Sequence, residues 1–196
     1  MKTRHCNPMY CLLVCLIVTG SAMGQSRSEP AGHSGMQPDA PGAVHKQLSR
    51  LAGEYTTSIK FRMQPGATPV ESAGTARISL GLGGRFLVEE NSGTLFGQPY
   101  SGMRLYGYNN GTKQYEAMWV YTESTAILNL TGASQDDGKT VTYTGAFAYP
   151  GGGKENLRVV VRQVDNNHFA VELYGNADGG GAGPVLETLY TRKGGQ

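Results

Sequence analysis

Cysteine is missing from the chain beyond residue 15, because its three cysteines are Cys6, Cys11 and Cys15. Once that segment is removed, neither a disulfide framework nor a thiolate-bound metal is available. Histidine is scarce too. Only His45 and His168 of the four lie beyond residue 42, whereas a zinc centre gathers three or four ligands. No cluster of Lys and Arg forms the electrostatic footprint of a nucleic-acid partner. Long apolar runs are also lacking. The longest, Met9 to Val18, has about ten residues against the roughly twenty of a membrane-spanning helix, so no membrane insertion is expected of the mature chain.

That short run is flanked as an export signal is flanked. Lys2, Arg4 and His5 precede it, and Thr19, Gly20, Ser21, Ala22, Met23 and Gly24 come after it. The order of charged, apolar and small residues predicts a signal peptide over 1–24 and a periplasmic or secreted mature protein. Lipidation is not expected, since Leu13 and Val14, not small residues, precede Cys15. The 17 Lys and Arg stand against 15 Asp and Glu. Loss of Lys2 and Arg4 with the leader leaves 15 of each sign and a formally neutral chain. Residues 25–42 are rich in Gly, Pro and Ser and nearly free of large apolar groups. They read as a disordered linker. The remainder, 43–194, fits one domain able to bury a core.

Val44, Leu48 and Leu51 recur at helical spacing and predict a short amphipathic helix. Thereafter the period is two. Tyr55, Thr57, Ile59, Phe61 and Met63 alternate with polar residues, as a strand with one buried face requires. Further strands are expected near 71–82, 85–95, 100–109, 114–122, 125–133, 140–149, 155–164, 168–176 and 185–192. Turn sequences such as Gly83-Gly84, Gly97-Gln98-Pro99, Asn110-Gly111 and Asp136-Asp137-Gly138 separate them. About ten sequential strands without room for crossover helices imply antiparallel neighbours. Closure removes the exposed edges of such a meander, which predicts an all-β, up-and-down antiparallel barrel with a short N-terminal helix. A two-sheet sandwich is the rival architecture.

The opening Leu51-Ala52-Gly53-Glu54-Tyr55 resembles the Gly-x-Trp start of lipocalin-like barrels with tyrosine for tryptophan. Tyr190-Thr191-Arg192 resembles their closing basic residue, so a cation–π contact of Arg192 on Tyr55 is expected. His45, Leu48, Leu51, Gly53 and Tyr55, then Leu82-Gly83-Gly84-Arg85-Phe86-Leu87, Gly107-Tyr108-Asn109, Tyr115, Trp119 and Tyr190-x-Arg192 together resemble the bacterial family called domain of unknown function 1579. The resemblance spans about residues 45–193 and implies a lipocalin-like barrel. It implies no activity, and function does not follow from fold.

Chemical motifs are few. Gly81-Leu82-Gly83-Gly84 and the glycines before Lys154 lack the following helix that would hold a phosphate. No nucleophile and base stand in a recognisable pattern, so an enzyme is not expected. Nitrobindin-like barrels hold haem through a late histidine, and here the last strand has none. Cofactors are therefore none. His45 is expected to cap or hydrogen-bond near the helix, and His168 to lie at the surface.

Polar residues on apolar faces offer more. Glu90 shares a parity with Phe86 and Val88, and Arg104 with Tyr106 and Tyr108, on adjacent strands. If both faces point inward, the two charges must pair, since neither tolerates burial alone. Tyr106, Tyr108, Tyr115, Trp119, Tyr121, Tyr143, Phe147 and Tyr149 fall at alternating positions and either line a pocket or simply fill the barrel. The expected ligand-binding set is Glu90, Arg104, Tyr106, Tyr108, Trp119 and Tyr121, around a small apolar molecule. A solid barrel that engages a protein partner is the alternative.

Overall fold

A computed structural model describes residues 39–63, 67–149, 151–175 and 183–194. The expected leader, 1–24, and most of the expected linker lie outside these residues. The short helix α1 (Ala43–Leu48) runs into a 3-10 turn, Ser49–Leu51. Ten strands come next: β1 (Gly53–Phe61), β2 (Val70–Gly81), β3 (Phe86–Leu95), β4 (Gln98–Asn109), β5 (Gln114–Tyr121), β6 (Leu128–Ser134), β7 (Thr140–Ala148), β8 (Lys154–Gln163), β9 (His168–Gly175) and β10 (Leu186–Arg192). Each pairs antiparallel with its neighbour in sequence, and β1 pairs with β10. The sheet is a closed up-and-down barrel, not a sandwich.

The alternation that identifies β1 in the sequence is carried out in space. Tyr55, Thr57 and Ile59 are buried, and Glu54, Thr56, Ser58 and Lys60 are exposed. Tight turns keep successive strands adjacent. Between β3 and β4 only Phe96 and Gly97 intervene, both at positive φ (52° and 74°), as a two-residue type I′ hairpin requires. Between β6 and β7 the Asp136 carboxylate accepts the Thr140 N–H at 2.7 Å. Asp165 does the same between β8 and β9, accepting from the backbone of Asn167 and His168 at 2.7 and 2.8 Å.

The seam between β1 and β10 is locked at the helix end. Tyr55 lies opposite Arg192 in register, and the guanidinium sits 4.9 Å from the centre of the Tyr55 ring. The same guanidinium donates to the carbonyls of Ala52 and Arg50, each at 2.7 Å, and the Tyr55 hydroxyl donates to the Leu51 carbonyl at 2.8 Å. One residue pair thus joins the seam to the turn that precedes it. Val44, Leu48 and Leu51 pack on the core beneath α1. His45 is buried there, its Nδ1 accepting the Gly42 N–H at 3.1 Å and its ring edge-on to Tyr108. Residues 39–42, assigned to the linker on composition, are anchored to the same end. Arg85 donates to the Asp39 carbonyl at 3.0 Å and Asn110 to the Asp39 carboxylate at 2.7 Å.

Candidate functional site

The two halves of the barrel interior differ. Towards α1 the inward residues are bulky and meet. Tyr190 stacks on Phe169 with ring centres 4.0 Å apart, and Tyr55 stands edge-on to both. Tyr106, Tyr115 and Tyr143 complete this packing. The space left beneath α1 is about 30 Å³, bordered by Leu48, Leu87, Glu89 and Tyr106, enough to hold water. The half away from α1 is hollow. A cavity of about 540 Å³ is walled there by Ile59, Trp119, Leu128, Phe147, Leu157 and Leu173, with Tyr100, Tyr121 and Tyr149 further out. That volume and that apolar lining are those of small-molecule pockets.

A polar layer divides the two halves. Glu89 is 0 % exposed and Arg104 13 % exposed at the side chain, with Arg104 Nη1 3.3 Å from Glu89 Oε1. The same carboxylate oxygen accepts from the Tyr190 hydroxyl at 2.8 Å and from Asn91 Nδ2 at 3.1 Å. Arg104 Nη1 also donates to the Tyr190 hydroxyl, at 2.6 Å, so that Tyr190 links the two charges. The guanidinium lies on the face of Trp119, 4.2 Å from the ring centre. Burial pulls the Arg104 pKa down, but the Glu89 carboxylate, with Tyr190 and Tyr106, more than offsets it and holds the guanidinium protonated. Burial pushes the Tyr190 phenol well up against the opposing charge of Arg104, so this hydroxyl stays a donor. Glu89 Oε2 and the Thr57 hydroxyl are buried without a hydrogen-bond partner among the described residues, while the Tyr106 hydroxyl lies against Arg104 and the Trp119 indole N–H. Orphaned buried polar atoms of this kind mark places where water or a ligand is accommodated.

The expected site is partly brought together and partly dispersed. Arg104, Trp119 and Tyr121 line the larger cavity. Tyr106 lies one layer deeper, and Tyr108 packs between His45 and Tyr115 at the helix end. Glu90 is corrected: it is exposed on the outside of the barrel, and Glu89 is the carboxylate that pairs with Arg104. The apolar parity of Phe86 and Val88 belongs to the outer face. There Phe86 lies across Gly107 on β4, whose added Cβ would sit 2.8 Å from the ring, and Val88 lies against Gly81. Outward apolar side chains over glycines imitate an inward face.

Sequence reasoning also missed Asn91, Ile59, Leu128, Leu157 and Thr188 as cavity residues. The signal for the inner parity of β3 is the set Leu87, Glu89 and Asn91, legible once Gly107 is known to face Phe86. His168 is at the surface as expected, its ring 2.9 Å from the Asp165 carboxylate. Among the described residues no group of three or more His, Cys, Asp and Glu is placed to hold a metal.

Comparison with known proteins adds a family and an architecture. The profile of the family described as "Protein of unknown function (DUF1579)" matches residues 40–192. No curated protein matches the chain. Among solved structures, that of Rv2717c from M. tuberculosis is similar, with a TM-score of 0.52 and 15 % identity over 79 % of this chain and 99 % of that one. At this identity the likeness concerns the fold alone.

Proposed function

The chain belongs to the DUF1579 family of proteins of unknown function, and from that premise we propose that it binds a small, mostly apolar ligand in the half of the barrel away from α1. The observation that carries this reading is the cavity of about 540 Å³, walled mainly by aliphatic and aromatic side chains, with the charged Arg104 at its inner end. A barrel built only for stability would fill that half as it fills the other, because empty apolar volume lowers stability roughly in proportion to its size. The Arg104 guanidinium, held on the Trp119 ring at the inner end of the lining, supplies the kind of polar contact that orients a guest in such sites. The export signal in the sequence supports a role outside the cytoplasm, where carriers of poorly soluble molecules operate in water.

Trp119 is the chain's single tryptophan, so its emission reports on this cavity without interference. Titration with a neutral apolar probe such as 1-aminoanthracene is expected to change Trp119 emission saturably. Leu128→Trp, which fills the space beside Trp119 and is read through the probe's own emission because it adds a second tryptophan, is expected to weaken probe binding at least about tenfold. Non-saturable change, or equal binding by the filled variant, would count against the reading.

A further inference from the structure

The inner end of the cavity narrows the chemistry of the guest, an inference that rests on the ligand-binding reading above. A guanidinium carries five N–H donors in one plane. On the protein, Arg104 Nη1 serves Glu89 and the Tyr190 hydroxyl, and the Tyr106 hydroxyl is a further partner of the guanidinium. These three partners leave donors of the five to spare, and the residue lines the cavity. Trp119 on one face and Glu89 at Nη1 fix the plane, so these donors have a set direction.

Charge then decides which acceptor suits them. Glu89 already balances Arg104 at contact distance. Arg62, the other basic residue of the lining, is paired with Glu187. The remaining charged residues of the lining, Glu123 and Glu155, are acidic. A carboxylate on the ligand would therefore put a second negative charge beside one guanidinium in a desolvated space, and an uncompensated buried charge is costly. A neutral carbonyl oxygen accepts from the same donors and leaves the charge balance untouched.

We propose that the cavity selects an uncharged ligand headed by a carbonyl-type oxygen. The oxygen enters first and accepts from the remaining guanidinium donors of Arg104, and the apolar remainder lies against Ile59, Leu128, Phe147, Leu157 and Leu173. The selectivity is against the matching carboxylate as well as the matching hydrocarbon.

The test compares 2-undecanone, undecanoate and undecane as competitors of bound 1-aminoanthracene at pH 8, with the whole protein. The ketone is expected to bind about tenfold or more tighter than either of the others, the range of a hydrogen bond to a charged donor. Arg104→Lys keeps the charge beside Glu89 but removes the planar fork. It is expected to erase the advantage of the ketone over undecane. Should Arg104→Lys not fold, Glu89→Leu with Arg104→Met removes both charges and serves the same comparison. Tighter binding of undecanoate, or equal binding of all three, overturns the carbonyl proposal and leaves the cavity reading intact. Failure of every compound, probe included, overturns both.

Discussion

Glu89 is the residue on which the interior turns. A carboxylate with no exposed surface is tolerable only because Arg104, Tyr190 and Asn91 all donate to it. Removing one member of a buried ion pair leaves the other uncompensated, at a cost of about 3–5 kcal/mol, whereas replacing both with apolar residues is often close to neutral. Arg104→Met is therefore expected to lose stability in that range, and Glu89→Leu combined with Arg104→Met to recover most of it. Urea unfolding of the two variants and the unaltered chain measures this. A double variant as unstable as the single one would show that the pair is not the unit described. The sequence disclosed one half of this pair. Arg104 was legible because it interrupts an inward row with Tyr106, but its partner was misplaced by one position.

At the scale of elements, the difference between β1 and β3 explains what could be read. β1 alternates cleanly because its outer face is polar, so its parity and its pairing with Arg192 were legible. β3 is apolar on both faces, and the deciding fact, Phe86 lying on Gly107, belongs to another strand. Helix α1 was legible from its spacing, and so was the hydrogen-bonding role of His45. Tyr108 was not, because its outermost inward position on β4 meets α1 instead of the cavity. Turns were legible through Gly, Asn and Asp, and Asp165 gives one of them a pH dependence. Backbone donors of Asn167, then the His168 ring, hold its carboxyl below the ordinary value of 3.8. A folded-state pKa below the unfolded one stabilises above the unfolded value and ceases to do so as pH falls through the folded one. Asp165→Ala is thus expected to lower Tm at pH 6 and to converge with the unaltered chain as the pH falls below 3.8. Thermal unfolding across pH 2.5 to 6 reads this, and a difference that persists unchanged at the acid end would contradict it.

For the whole molecule, the barrel is a closed wall with unequal contents. The half next to α1 is packed with Tyr55, Tyr115, Tyr143, Phe169 and Tyr190 and supplies the rigid core. The other half has the same strands around a space of about 540 Å³. Strand number and closure arise from alternation and turns, and were legible. Which half is hollow was not, since it depends on how far aromatic rings from opposite walls reach across, and no local pattern records that. The polar layer of Glu89 and Arg104 is where the two regimes meet, and it gives the hollow half a charged floor. Packed core and cavity thus occupy opposite halves of one barrel.

Native mass spectrometry of the protein recovered from the cells that make it tests that division most directly. The expected result is a non-covalent added mass that is released on unfolding, carried by a chain lacking residues 1–24, and absent from Leu128→Trp. A chain that flies at its bare mass under gentle conditions, with Trp119 emission indifferent to every apolar probe, would contradict it.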